Sequence, residues 1–138
     1  MEVVLHLPVV PNVELVAAKA VETLGGALGM HQTHVEAASV AMVEACLNAM
    51  EHGGGPFTVR LRSDNQDSKA CLVIDVEDHG DGFDPASTPQ NSASRVIGST
   101  MKRGWGLTLI RELMDEVQIQ SAPGKTLVSM RKYVESAP

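Results

Sequence analysis

The chain has 138 residues, 43% hydrophobic and 20% charged, with a formal net charge of −6; this is the size and balance of one globular domain, and the acidic sign argues against broad nucleic-acid binding. No apolar run approaches membrane-spanning length, the first residues do not read as a signal peptide, and Cys46 and Cys71 have no metal-like spacing. The expectation is a cytoplasmic single domain spanning 1–138, with reduced, packed thiols and no contact with nucleic acid or membrane.

Val3, Leu5 and Leu7 alternate with Val4 and His6, which predicts a strand ending at Pro8. Pro11-Asn12 opens a helix in which Val13, Val16, Ala17, Ala20, Val21, Leu24 and Leu28 keep helical spacing; Gly25 and Gly26 weaken its end and Gly29 stops it. His31 and His34 read as the start of a second helix rather than as zinc ligands. That helix runs from about Thr33 to His52. Glu44, Asn48 and His52 recur every four residues and form one polar stripe, beside a packing stripe of Val40, Val43, Leu47 and Met50. Taken alone, the polar stripe is either a site or the wet face of an ordinary amphipathic helix.

Phe57, Val59 and Leu61 alternate with Thr58, Arg60 and Arg62 in a half-buried strand, and Asp64 to Ser68 reads as a turn. The next strand sets Ala70, Leu72, Ile74 and Val76 on one face and Cys71, Val73, Asp75 and Glu77 on the other. Continuing the period of two puts Asp78 at the end of the apolar face, where a carboxylate is costly unless something hydrogen-bonds it. Gly80 and Gly82 follow, permitting a sharp turn or a close approach to a ligand. The long irregular stretch at 85–103 reads as a lid or binding loop.

Lys102 and Arg103 precede Gly104-Trp105-Gly106, which leads into a helix with Leu107, Ile110, Leu113, Met114 and Val117 inward. Glycines ahead of a helix N-terminus make an anion site, because free N–H groups and the helix dipole both favour phosphate. Two strands close the chain: Val117, Ile119 and Ser121 share a face, and so do Thr126, Val128 and Met130. The element order implies an α+β fold, a mostly antiparallel sheet with helices on one face. There is no P-loop, no dinucleotide fingerprint and no GxSxG elbow.

EACLNAMEHG, DHGDGF, RGWGL and GKT, in that order, resemble the boxes of the GHKL superfamily of ATP-binding domains, from about Val43 to Thr126. That superfamily includes type II topoisomerase ATPase domains, histidine kinases and anti-sigma-factor kinases. The N-terminal strand and helix, the small size and LMDEVQI make the sequence most similar to bacterial anti-sigma-factor serine/threonine kinases. The resemblance implies a two-layer Bergerat-type sandwich that uses ATP and Mg²⁺. It implies Asn48 as the magnesium ligand, Glu44 as the catalytic base and Asp78 as the reader of the adenine amine. Thr126 would support that Asp, Gly80 and Gly82 would admit the base, and His52 would line the phosphate end. Gly104, Gly106 and Leu107 form the second glycine box around the phosphates, with Lys102 and Arg103 neutralising their charge.

The implied function is an ATP-dependent kinase and anti-sigma factor that phosphorylates a small antagonist protein in a partner-switching pathway. The implied partners are that antagonist, a sigma factor or other regulator, and a second copy of the chain, the last also suggested by Val4, Cys71 and Val73 on the outer sheet face. The alternatives are a non-catalytic, nucleotide-gated binding module and a histidine-kinase catalytic domain. The latter is disfavoured because 138 residues leave no room for a separate phosphoacceptor domain.

Overall fold

The computed structural model describes residues 1–80 and 106–135. In chain order these form β1 (Glu2–Leu7), α1 (Val13–Ala27), α2 (Gln32–His52), β2 (Phe57–Gln66), β3 (Lys69–Asp78), α3 (Gly106–Leu113), β4 (Glu116–Ala122) and β5 (Lys125–Tyr133). The expected lid at 85–103, with Gly82, Lys102, Arg103, Gly104 and Trp105, lies outside the described residues. The strands make one antiparallel sheet in the order β1-β2-β3-β5-β4, and the helices pack on one of its faces, giving the expected α+β sandwich.

Register explains the core. One row across all five strands reads Leu5, Val59, Val76, Val128, Ile119, and the next reads Val3, Leu61, Ile74, Met130, Val117. Because side chains alternate at a period of two, these rows meet the helices. The third row on the same face turns polar on three adjacent strands: Asp78 lies opposite Thr126, and Thr126 opposite Ser121. The site sits at that end of the sandwich.

The helices differ in detail from their sequence patterns. Gly25 and Gly26 stay within α1, which ends before Gly29, whose φ of +76° no helix continues through. At the start of α2, His31 Nδ1 accepts the Thr33 N–H at 3.2 Å. The packing stripe expected on α2 is corrected in part: Met50 packs against the core, Val43 and Leu47 are half-buried and Val40 is 45% exposed, whereas Ala38, Ala41, Met42, Ala45, Cys46 and Ala49 are buried. Small side chains let α2 lie close to α1 and the sheet, so four alanines share the contact face with Met42 and Cys46. The buried face also carries Glu44 and Asn48.

The last helix is shorter than its pattern. Val117 belongs to β4, and the chain leaves α3 after Leu113, where the Lys132 ammonium donates to the Leu113 carbonyl at 2.8 Å. The turn after β2 is tighter than expected, with the strand continuing to Gln66 and only Asp67 and Ser68 adopting positive φ. Two left-handed residues in a two-residue hairpin match the right-handed twist of the flanking strands.

The outer sheet face is also corrected. Cys71 and Val73 are 0% and 1% exposed. The outer face carries a bridge in which Arg62 and Arg131 both donate to Asp64 Oδ2 at 3.2 Å, and the Tyr133 hydroxyl donates to Glu116. Arg131 reaches the Cys71 sulfur at 3.4 Å. The Asn65 N–H and the Arg131 and Arg62 guanidiniums hold the Asp64 carboxyl below its ordinary range. Of the three apolar residues expected on this face, only Val4 is exposed among the described residues.

Candidate functional site

Among the described residues the buried polar or charged side chains are Glu44, Asn48, Asp78, Thr126 and Lys132. Lys132 is accounted for by α3. The other four are residues that the sequence singled out, and they lie along one seam between α2 and the sheet. Glu44, Asn48 and His52 run down α2 over eight residues, about 12 Å of helix. At one end of that run is the N-terminus of α3; at the other is the Asp78 end of β3.

At the β3 end, Asp78 is 2% exposed and its Oδ1 accepts the Gly80 N–H at 3.1 Å. Burial pushes its carboxyl above the usual carboxylate range, against the Gly80 hydrogen bond and the nearby His52 and His79 charges, which act downward. Thr126, fully buried, sits opposite Asp78 on β5 and shares a 2.8 Å hydrogen bond with the Ser121 hydroxyl on β4. The result is a line of hydrogen-bonding groups (carboxylate, hydroxyl, hydroxyl) in an otherwise apolar layer. The sequence sets Ser121 on one face with Val117 and Ile119 and assigns it no role. The signal that found Asp78, a polar residue on an apolar face, applies to it equally.

Gly80 makes a close backbone approach. A methyl group there would come within 2.1 Å of the His52 carbonyl oxygen and 2.5 Å of Gly53 Cα. Likewise a methyl on Gly53 would come within 2.9 Å of Asp78 Cβ. The missing side chain lets the backbone at the end of α2 come this close. The Gly80 carbonyl also accepts the Gly124 N–H at 2.9 Å, tying the β4–β5 turn to the same point. His52, in the last turn of α2, stands beside this junction and its charge reaches Asp78.

At the other end of the seam, a methyl on Gly106 would stand 3.2 Å from Glu44 Oε2. The carboxylate thus faces the first residue of α3, where free helix N–H groups favour negative charge. Leu107, the next residue, packs against the core and fixes the start of that helix. Between the two ends, Asn48 is buried and its Nδ2 has no partner among the described residues. Turning the amide by 180° exchanges its nitrogen for its oxygen, so it can meet either an acceptor or a hard cation. The described residues contain no cluster of three or more His, Cys, Asp or Glu that could hold a metal. A cation at Asn48 would therefore draw on the oxygens of a bound anion and of water, the mode that suits a small hard ion.

This arrangement joins a group that can read a base amine to a seam of buried polar side chains and then to a carboxylate beside a helix N-terminus. It suits a ligand with a polar ring at one end and anionic groups at the other. Residues 10–132 match the histidine kinase-like ATPase domain family. The chain is similar to the serine-protein kinase RsbW of Bacillus velezensis, with 29% identity over 94% of this chain and 84% of that one. It is similar to the anti-sigma F factor of Caldanaerobacter subterraneus, with 31% identity over 71% of this chain and 66% of that one. Its fold is similar to that of a chain in the SiaB–SiaC complex from Pseudomonas aeruginosa, with a TM-score of 0.60 and 15% identity over 96% of this chain and 89% of that one.

Proposed function

The chain belongs to the histidine kinase-like ATPase domain family, and from that premise we propose that it is an ATP-dependent serine/threonine protein kinase and anti-sigma factor. The observation that carries the reading is the burial of Glu44, Asn48, Asp78 and Thr126 along one seam. Burying four polar groups is costly unless each finds a hydrogen-bond partner, and Asn48 Nδ2 has none among the described residues, which leaves it for a ligand. The named functions of the similar proteins, a serine-protein kinase and an anti-sigma factor, support the same reading.

Asp78 would accept a hydrogen bond from the exocyclic amine of adenine, with Thr126 and Ser121 holding the hydroxyl geometry around it. The start of α3, with Gly104, Gly106 and Leu107, would receive the phosphates, helped by Arg103 and with His52 along the seam. Asn48 would hold Mg²⁺, which when bound neutralises phosphate charge at the transferring group. Glu44 would take the proton of a serine or threonine hydroxyl as that oxygen attacks the γ-phosphorus and ADP leaves. Its position beside Gly106 supports this, because it brings the base to the phosphate end. The stretch at 85–103 would close over the nucleotide as the lid.

The phosphoacceptor would be a small antagonist protein, and the competing partner a sigma factor or other regulator, both in the cytoplasm. A second copy of the chain is the third partner. Among the described residues no helix is long and apolar enough to cross a membrane.

Phosphotransfer from radiolabelled ATP to a candidate antagonist tests the roles. Glu44→Gln keeps shape and removes basicity, so ATP affinity should hold while transfer falls by roughly 10²–10⁴-fold. Asn48→Ala should lose metal-dependent nucleotide binding and transfer together. Wild-type transfer by Glu44→Gln would remove Glu44 as the base. A wild type that binds a partner in a nucleotide-dependent way, yet transfers no phosphate to it, would leave the gated binding module.

A further inference from the structure

Thr126, Val128 and Met130 of β5 lie on the helix face of the sheet, and the period of two carries Lys132 onto the same face, opposite Leu72 of β3. Lys132 is 9% exposed, a buried ammonium at the opposite end of this face from the Asp78 carboxylate. Its Nζ donates to the carbonyl of Leu113, the last residue of α3, at 2.8 Å, and stands 3.8 Å from Asp115 Oδ1. Carbonyls in the final turn of a helix have no partner within it, and a cation there also meets the negative end of the helix dipole. Two further bonds join the same place. The Asp115 N–H donates to the Arg131 carbonyl at 3.0 Å, and the Tyr133 N–H donates to Asp115 Oδ2 at 2.7 Å. The C-terminal end of α3 is thereby stitched to β5.

We propose that Lys132 is a positioning residue for the phosphate end of the site, acting through α3. The inference rests on the nucleotide reading of the seam. α3 has 8 residues, about 12 Å of helix, too short to hold its own direction, and it packs chiefly on α2. Lys132 ties its last residue to the sheet, while its first residue, Gly106, faces Glu44. A short rod released at one end swings at the other, so the Lys132 contact governs where the helix N-terminus stands. β5, by contrast, is paired on both sides, with β3 and with β4. Removing the ammonium therefore leaves the strand in place and frees the helix. The same strand carries Thr126, about 20 Å from Lys132 along its length. β5 thus fixes the base end of the site directly and the phosphate end by way of α3, and it sets the spacing between them. A nucleoside triphosphate depends on both ends, whereas a bare nucleoside depends on one.

Titration calorimetry of adenosine and of ATP with Mg²⁺, on wild type and on Lys132→Met, tests this. Methionine has nearly the length of lysine, removes the donor and the charge, and suits a buried position. Lys132→Met should bind ATP at least roughly tenfold more weakly than wild type, and adenosine within about twofold of it. Lys132→Gln is the second variant. It keeps an N–H donor but stops one bond short of Leu113, so it should show the same selective loss at smaller size, and it decides the matter if Lys132→Met does not fold. A lysine that only stabilised the fold would change the two affinities together. Equal losses for adenosine and ATP would therefore overturn the proposal, and so would an ATP affinity that neither variant lowers. A wild type that binds neither ligand would overturn the nucleotide reading, and this inference with it. A wild type that binds ATP, with variants that bind it equally well, overturns this inference alone.

Discussion

Asp78 shows how one residue can carry a stability cost and, in the proposed reading, the recognition of the base. It ends an apolar row, it is 2% exposed, and burial holds its carboxyl above the usual range. A carboxyl whose folded pKa is raised binds its proton more tightly in the folded state than in the unfolded one. Its contribution favours folding below the ordinary aspartate range and is lost as pH rises through the raised value. At pH 7 the ionised group therefore weighs against the nucleotide-free fold. Asp78→Asn keeps an oxygen for the Gly80 N–H and removes the charge. The nucleotide-free variant should melt a few degrees higher than wild type at pH 7, and the gap should narrow toward pH 4 as the wild-type carboxyl protonates. Its ATP affinity should fall by roughly 10- to 100-fold, because an amide donor would face the adenine amine. Scanning calorimetry and titration calorimetry check the two halves; a lower melting point at pH 7 would refute the desolvation account. Asp78 and Thr126 were legible in the sequence because period two puts them on an apolar face. Ser121 obeys the same rule, yet its link to Thr126 is a cross-strand register, which alternation along a single strand does not contain.

Among the elements, α2 was legible in extent and in its polar stripe but only in part in its packing face, where Met50 meets the core and Val40 does not. Alanines carry little hydrophobic weight, so Val40, Val43, Leu47 and Met50 looked like the core side. The structure selects Ala38, Ala41, Ala45 and Ala49 because they allow close approach. The end of α3 was overrun for a related reason: Val117 falls in step with the helix before it and with the strand that contains it. The junction between α2 and β3 was invisible, since it depends on backbone meeting backbone at Gly53 and Gly80. Gly80→Ala should force that junction apart, with its new methyl 2.1 Å from the His52 carbonyl. The expected loss is roughly 1–3 kcal/mol or more, read from urea unfolding. Gly54→Ala, where a methyl meets nothing within 4 Å, should be close to neutral. Equal losses at both positions would show that glycine's chain entropy, not the contact, sets the effect.

For the whole molecule, the order of elements and the placing of helices on one face followed from periodicity and hairpin spacing. The strand order did not, because β5 enters between β3 and β4, and that choice is made by a match of apolar rows across strands distant in sequence. The same insertion brings Thr126 beside Asp78. The glycine junction then has a bearing on how such a protein can change over evolutionary time. Gly53 and Gly80 join the Asp78 end of β3, proposed to read the base, to the helix that carries Glu44 and Asn48, so a substitution at either glycine should disturb both ends of the proposed site at once. Ser121 and Thr126 reach Asp78's neighbourhood from β4 and β5 instead. In a library randomised at 53, 80, 121 and 126 and selected for binding a different purine nucleotide, survivors should keep both glycines and diversify at 121 and 126. Enrichment of larger residues at 53 or 80 would contradict this. Inheritance would be conservative at the seam between helix and sheet, and exploratory one strand away.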